Sequence, residues 1–323
     1  MKASNPTGMD VFGIASSAKK HLDDDAINGI SGFVMSKMND DGGFRGRSSS
    51  SDLYYTFFAL ATLAGIGVSK TNMNLPELVA PVNSYIRKLD DRQLGFVDLY
   101  CMACTLPLLT YLGLPDKGKA IALMFARKNS MFAGRAVKAI VGRLEDFRSK
   151  DGGYNQTARN SRHGTVYASF LACQAYENLG LAIPDKKGIL NSLEALKASD
   201  GAYANQPDMA CGTTTATAAA GIMKLHLENK SSRSVGNWLL KQQLTSGGFR
   251  ASPQTPVADM LSTATAVLAL KQMGHKFESR QGIIDFVEGH WDDSGGFFGS
   301  MLDQKCDCEY TFYALLTLGC LLE

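Results

Sequence analysis

The chain alternates between two kinds of apolar segment, and this alternation predicts helices rather than strands. One kind is apolar on nearly every face, as in DLYYTFFALATLAGIG from Asp52 to Gly67. The other is amphipathic, as in VGNWLLKQQL from Val235 to Leu244, where apolar residues recur at helical spacing. Almost no segment has the strict alternation typical of a strand. The pattern therefore predicts an all-α protein in which amphipathic helices surround buried ones.

The uniformly apolar segment recurs six times along the chain. Its copies begin near residues 52, 98, 165, 211, 259 and 307. The spacing is nearly constant except between the second and third copies, where an insertion falls at about residues 114–134. Repeats of this length are typical of helix pairs that each bury one face against the next pair.

A glycine–aromatic motif precedes most of the apolar copies. It reads DDGGF, KDGGY, SDGAY, TSGGF and DSGGF, and the second repeat has only the reduced form RQLGF from Arg92 to Phe96. Glycine can end a helix in a left-handed turn, and the aromatic ring after it can fill the gap between neighbouring helices. Each repeat is therefore predicted to be a helix, a glycine turn, a loop and a second helix.

Six such helix pairs can close into a ring, which predicts a single α/α-toroid domain over residues 1–323. The second helix of each pair is expected in the inner layer because it is the more uniformly apolar. An open superhelix is the alternative. It would need a polar cap at its end, whereas the last repeat reads TFYALLTLGCLLE. Closure against the first repeat would bury that apolar segment.

Composition narrows the function classes. The net charge is only +2, and no basic run interleaves with aromatic residues, which disfavours a nucleic-acid partner. No apolar run reaches the ~20 residues needed to span a bilayer. The N-terminus lacks the apolar core of a signal peptide, and seven cysteines fit reduced thiols. We therefore expect a soluble, cytoplasmic protein without a transmembrane segment.

The aligned repeats resemble a known superfamily. Segments such as GNWLLKQQLTSGGFRASPQTPVADMLSTATAVLALKQMG are similar to the repeat shared by protein prenyltransferase β subunits and squalene/oxidosqualene cyclases. The resemblance covers roughly Ile30 to Glu323. It implies an α/α barrel whose aromatic-lined funnel holds an isoprenoid diphosphate or a polyene. If the protein is like the transferases of this superfamily, the resemblance also implies a possible α-type partner subunit.

The same resemblance bears on metal binding. Protein prenyltransferases hold zinc through Asp-x-Cys at the start of one inner helix and a histidine in the next. Asp259 matches the aspartate, but Leu261 and Tyr310 stand at the cysteine and histidine positions. Leucine cannot bind zinc, so the ligand set is not intact and no metal ligand is assigned. A rebuilt zinc or magnesium site from Cys211, Asp259 and Asp307 stays open as an alternative.

Cyclases of the superfamily carry Asp-x-Asp-Asp at this helix start, and its central acid protonates an alkene or epoxide. Asp307-x-Glu309 matches this motif loosely, and the resemblance makes Asp259, Asp307 and Glu309 candidate catalytic acids. An apolar wall would raise the pKa of such a carboxyl and keep it protonated. The alternative for Asp52, Asp98, Asp259 and Asp307 is helix N-capping, because each stands where an inner helix is predicted to begin.

Two groups of residues are candidates for substrate binding. Arg162 and His163 lie near where prenyltransferases place a diphosphate-binding histidine, and a cationic helix N-terminus suits a diphosphate. Tyrosines recur on the first turns of the inner helices, where they would line the funnel or pack in the core. They are Tyr54, Tyr100, Tyr167 and Tyr310. Such rings could hold a prenyl chain or stabilise a carbocation.

Three functions follow from these observations. The first is a prenyltransferase-like enzyme that acts on a prenyl diphosphate bound in the aromatic funnel. The second is an acid-initiated terpene cyclase that uses Asp307 or Glu309. The third, from another class, is a non-catalytic toroid that binds an isoprenoid or a protein.

Overall fold

Six apolar helices form a closed inner ring. The structure is a computed structural model that describes residues 7–67, 75–113 and 134–321. The ring helices are α3 (Leu53–Ile66), α5 (Phe96–Leu112), α7 (Val166–Asn178), α9 (Thr214–Glu228), α11 (Met260–Gln272) and α13 (Cys308–Leu321). Each contacts the next, and α13 contacts α3. The all-α toroid is therefore confirmed. Of the insertion near 114–134, only Gly134 lies within the described residues.

Amphipathic helices form the outer layer, as their apolar periodicity predicts. They are α2 (Asp24–Met35), α4 (Leu75–Lys88), α6 (Arg135–Glu145), α8 (Lys186–Glu194), α10 (Arg233–Leu240) and α12 (Arg280–Glu288). Their buried side chains are mainly aliphatic or aromatic residues, such as Ile283, Phe286 and Val287 of α12. Among the described residues, no helix is both long and apolar enough to cross a membrane.

In every repeat except the second, a glycine turn joins the outer helix to its inner helix. Five glycines adopt positive φ angles of 82–94°, namely Gly42, Gly152, Gly201, Gly247 and Gly295. The aromatic residue two positions later is buried in every case, and its backbone N–H donates to a hydroxyl in the first turn or so of the inner helix. The pairs are Phe44–Thr56, Tyr154–Ser169, Tyr203–Thr217, Phe249–Thr263 and Phe297–Thr311, at 2.9–3.1 Å. We call this contact the hydroxyl latch.

The first and sixth repeats meet in both layers. A Cβ atom at Gly295 would lie only 2.2 Å from the carbonyl oxygen of Gly29 in α2, so the sixth glycine turn rests directly on the first outer helix. Above this contact, the Arg47 guanidinium pairs with Asp303 at 2.5 Å. These contacts close the toroid and bury the apolar last repeat, so the open superhelix is wrong.

Two short hairpins are additions that the sequence pattern did not predict. Strands β1 (Phe44–Arg45) and β2 (Ser51–Asp52) pair antiparallel, as do β3 (Phe297–Ser300) and β4 (Asp303–Asp307). Each hairpin spans the loop between a glycine turn and an inner helix. Its register places the buried aromatic opposite the aspartate that starts the helix, as in Phe297 and Asp307.

The N-terminal helix α1 (Thr7–Ser17) closes one end of the ring. It contacts α3, α13 and, across the ring, α7. The approach to α13 is close, because a Cβ atom at Gly319 would lie 1.9 Å from the backbone oxygen of Ile14. Gly319 stands near the C-terminal end of α13, so α1 lies at the C-terminal ends of the inner helices. The family resemblance starts near Ile30 and assigned this helix no role.

We expect Gly319→Ala to displace α1 and destabilise the protein by about 1–3 kcal/mol, because the new methyl group meets backbone that cannot rotate away. Chemical denaturation measures the change. Gly142→Ala in α6 is the matched control, since a Cβ atom there meets nothing within 4 Å. That control should be neutral or stabilising by about 0.5–1 kcal/mol. Equal effects of the two substitutions would contradict the close approach of α1.

Candidate functional site

The inner ring encloses a cavity of about 360 Å³ between α1 and the N-terminal ends of the inner helices. Residues at every third or fourth position face the axis, as helical geometry requires. The level nearest the helix starts consists of Tyr54, Tyr167, Thr215, Leu261 and Glu309. Below it lie mainly aromatic and aliphatic residues, including Phe57, Phe58, Tyr100, Phe170, Phe312 and Tyr313, with Val11 and Phe12 of α1 at the far end. The cavity is therefore a largely apolar well with polar groups at few places.

Aromatic rings form one wall of this well. The Phe58 ring lies 4.9 Å from that of Tyr54, 5.7 Å from Phe312 and 5.5 Å from Tyr313, between centroids. Tilted and edge-on arrangements of this kind are favourable for aromatic pairs. The faces of such rings carry a negative electrostatic potential that attracts a positive charge.

Glu309 is the carboxylic acid of the cavity wall. It is the second residue of α13, and its neighbour across the ring closure is Tyr54 of α3, whose phenol donates to Glu309 Oε1 at 2.6 Å. Burial raises the pKa of Glu309 to about 7, although the Tyr54 hydrogen bond opposes this shift. Near neutral pH a large fraction of Glu309 therefore carries a proton inside an aromatic cavity.

Asp307 and Asp259 begin inner helices and do not line the cavity. Asp307 accepts from the backbone N–H of Tyr310 at 3.0 Å and lies 3.4 Å from the Arg47 Nε atom. Asp259 caps α11 by accepting from the N–H and hydroxyl of Ser262, at 2.7 and 2.8 Å. Burial raises the pKa of both carboxyls. Their geometry is that of helix caps, which separates them from Glu309.

Of the other two predicted caps, one is a helix cap and one is not. Asp52 accepts from the backbone N–H of Tyr55 at 2.7 Å, which confirms it as the cap of α3. Asp98 is instead the third residue of α5 and accepts from the backbone N–H of Gly95 at 2.9 Å. It stabilises the same helix start, but from one turn inside the helix.

Arg162 and His163 are not brought to the cavity. Both precede α7 in its loop, where Arg162 is exposed. The His163 Nδ1 atom lies 3.5 Å from Asp151 of the glycine turn. Neither residue lines the cavity wall. The predicted cationic diphosphate site therefore has no counterpart next to Glu309 within the described residues.

Three of the four predicted tyrosines lie in the cavity wall. Tyr54, Tyr100 and Tyr167 line the cavity, whereas Tyr310 does not. Its ring lies against Gly299 in β3, where an added Cβ atom would come within 2.4 Å, and 5.9 Å from the Arg47 guanidinium. The structure therefore places the Tyr310 ring outside the cavity wall, and its role in substrate binding stays a prediction. The ring belongs to the closure between the two hairpins.

The structure does not assemble the alternative metal site. Cys211 lies two residues before Thr213, the cap of α9, and its sulfur is 3.3 Å from Gln254 Oε1. Asp259 and Asp307 are engaged at their own helix starts. Across residues 7–67, 75–113 and 134–321, no three His, Cys, Asp or Glu residues are grouped so that they could hold a metal ion. All seven cysteines are free thiols.

A polar pair deeper in the cavity escaped the sequence reasoning. Gln174 and Asn178 of α7 both line the wall. The Tyr100 hydroxyl donates to Gln174 Oε1 at 3.0 Å, and Asn178 Nδ2 contacts the Cys104 sulfur at 3.1 Å. The sequence pattern that could have identified the pair is two amide side chains four positions apart in a helix that is otherwise predicted to be buried.

Comparisons with known proteins agree with this architecture. A family model described as the prenyltransferase alpha-alpha toroid domain matches residues 7–112, 99–226 and 213–323. These matches together span nearly the whole sequence, so the chain belongs to the prenyltransferase alpha-alpha toroid domain family.

Two solved structures match this chain at low sequence identity. A protein from Actinoplanes matches with a TM-score of 0.55 and 11% identity, over 92% of this chain and 98% of that one. The ent-copalyl diphosphate synthase from Streptomyces platensis matches with a TM-score of 0.33 and 13% identity, over 98% of this chain and 95% of that one. No curated protein matches the sequence. The structural likeness to the Actinoplanes protein supports the fold alone.

Glu309→Gln should stabilise the folded protein at alkaline pH. Because the folded-state pKa of Glu309 is raised, wild-type stability falls as pH rises through about 7, and the neutral amide avoids this loss. We expect a gain on the order of 2 kcal/mol at about pH 8 and little change at about pH 5. Thermal or urea unfolding at both pH values measures it.

Glu278→Gln is the control for this experiment, because Glu278 is exposed between α11 and α12. That substitution should show no pH-dependent difference from wild type. A Glu309→Gln effect that is the same at both pH values would contradict a raised pKa.

Proposed function

We propose that the protein is an isoprenoid cyclase that starts its reaction by protonating a carbon–carbon double bond with Glu309. The observation that carries this proposal is a protonatable carboxyl at the N-terminal level of an aromatic cavity, held at 2.6 Å by the Tyr54 phenol. An acid in an apolar site keeps its proton near neutral pH and presents it to a bound substrate.

The polarity of the cavity favours an uncharged polyene over a prenyl diphosphate. No lysine, arginine or histidine occurs among the described residues that line it. A diphosphate inside such a wall would lose its hydration without gaining a cationic partner, which is costly. Arg47, a cation close to the start of α13, is engaged by Asp303 and Asp307. Diphosphate transfer is therefore the less favoured function, and it lacks the zinc ligands at Leu261 and Tyr310.

The proposed reaction balances as an isomerisation. The Glu309 proton adds to one carbon of a terminal double bond and leaves a cation on the neighbouring carbon. The next double bond attacks that cation and closes a ring, while aromatic faces such as Phe58 stabilise the charge. The final cation loses a proton to water, and the C–H electron pair forms a new double bond. Glu309 then recovers a proton from water, so the product has the same formula as the substrate.

Tyr54 has a positioning role in this scheme. Its O–H donates to Glu309 Oε1 and therefore stabilises the carboxylate that forms when the proton leaves. A hydrogen bond to the charged form lowers the pKa and strengthens the acid. The same bond fixes the carboxyl across the closure between α3 and α13.

The direct test is turnover of isoprenoids by the wild type and by Glu309→Gln. Squalene, farnesol, geranylgeraniol and farnesyl diphosphate are supplied separately, and products are analysed by gas chromatography with mass spectrometry. We expect an isomer of the substrate without diphosphate release, and a loss of about 100-fold or more in Glu309→Gln. Glu278→Gln should retain wild-type activity. Full activity of Glu309→Gln would overturn the proposal, and diphosphate release dependent on an acceptor would favour transfer.

The pH profile tests the role of Tyr54. Because the reactive form of Glu309 is protonated, kcat should be high below about pH 7 and fall as pH rises through that value. Tyr54→Phe removes a hydrogen bond to the carboxylate, so the pKa should rise and the descending limb should move to higher pH. We expect kcat at low pH to fall about 10- to 100-fold. A limb that stays in place would show that Tyr54 does not act on Glu309.

A further inference from the structure

The deep amide pair of the cavity has bonding capacity that the protonation step does not use. Gln174 and Asn178 lie one helical turn apart on α7, and both are more than nine-tenths buried, at 8% and 5% exposure. Both face the same cavity as Glu309. Buried amides of this kind are normally satisfied by hydrogen bonds, so their remaining capacity is informative.

The protein occupies one half of each amide. The Gln174 oxygen accepts from Tyr100, and the Asn178 NH₂ group donates to the Cys104 sulfur. Within the described part of the chain, the Gln174 NH₂ group and the Asn178 oxygen make no further hydrogen bond. The pair therefore offers the cavity one donor and one acceptor. A hydroxyl group, which both donates and accepts, matches this combination.

The amide pair also lies far from the acid along the cavity. Tyr167 and Glu309 are each the second residue of their helices, so they mark the same level. Gln174 and Asn178 follow Tyr167 by seven and eleven residues, which places them about 10 and 16 Å further along α7 at a helical rise of 1.5 Å per residue. The two polar features are therefore separated by a length of apolar wall.

We propose that Gln174 and Asn178 bind the O–H group of a neutral isoprenoid alcohol, whose chain extends along the cavity and places its terminal double bond at Glu309. This inference rests on the proposed function, because it assigns the substrate that Glu309 protonates. The hydroxyl lies deep and the hydrocarbon tail lies at the level of the helix starts. A diphosphate in place of the hydroxyl would require cations, and none is present among the described residues of the lining.

The energetic consequence is discrimination by the head group. A hydrocarbon of the same length leaves the Gln174 donor and the Asn178 acceptor dehydrated and unpaired, whereas an alcohol pairs both. A methyl ether can accept from Gln174 but cannot donate to Asn178. We therefore expect farnesol to bind about 10- to 100-fold more tightly than farnesene, with farnesyl methyl ether between them.

The experiment measures equilibrium binding of these three ligands to Glu309→Gln, which removes turnover, by equilibrium dialysis with chromatographic quantitation. Gln174→Met and Asn178→Leu should reduce the preference for farnesol at least several-fold, while affinity for farnesene stays the same or rises. Leu171→Met, in the same helix and cavity wall, is the matched control and should retain the preference. Unfolding curves show which variants are folded. If the amide variants do not fold, the comparison of the three ligands on Glu309→Gln still tests the proposal.

The outcomes separate this inference from the proposed function. A head-group preference in a protein that turns over none of the ligands would overturn the protonation reaction and retain the alcohol site. Equal binding of farnesol and farnesene, with turnover that depends on Glu309, would overturn the alcohol site alone.

Discussion

The hydroxyl latch is the contact on which the repeat geometry depends. It ties a buried aromatic amide to the inner helix, and an unpaired amide at such a position would cost about 1–3 kcal/mol. In three repeats the same hydroxyl also donates to the backbone carbonyl of the aspartate that starts the helix, as Thr311 does to Asp307 at 2.7 Å. The latch therefore fixes the glycine turn, the cap and the first helical turn together. Glu309 stands two residues from Thr311, so the latch also sets the direction of the candidate acid.

The second repeat shows what replaces the latch and why its boundary was harder to predict. Each latch hydroxyl is on the fourth residue of its inner helix, and the fourth residue of α5 is Leu99. Asp98 instead holds the start of α5 by accepting from the backbone N–H of Gly95. Aligning Asp98 with the other caps thus placed this helix start near residue 98, where the structure begins it at Phe96. The repeats predicted the ring because the burial of their uniformly apolar helices is enough to specify it. They did not predict α1, whose contact with α13 depends on a three-dimensional approach at Gly319.

The candidate site was predictable where a residue differed from its equivalents in the other repeats. Glu309 stands where Tyr54 and Leu261 stand in neighbouring repeats, and the structure places all three on one level of the wall. Tyr310 is only one residue further along, but one residue turns a side chain by about 100° around a helix. Its ring therefore faces the hairpins. Arg162 and His163 depend on the path of a loop, which helical periodicity does not determine.

Fold and chemistry separate in this protein. The latches, glycine contacts and closure form the ring, and they do not depend on what the ring encloses. The distribution of polar atoms inside the ring determines which ligand it can bind. One wall level carries an acid, the intervening wall is mainly aromatic or aliphatic, and the deep level carries a donor and an acceptor without charge. A ligand that satisfies this order must be neutral, must be apolar along its length and must end in a group that both donates and accepts. Under the proposed function, this order of polar groups favours an isoprenoid alcohol that enters head first over a hydrocarbon of the same length.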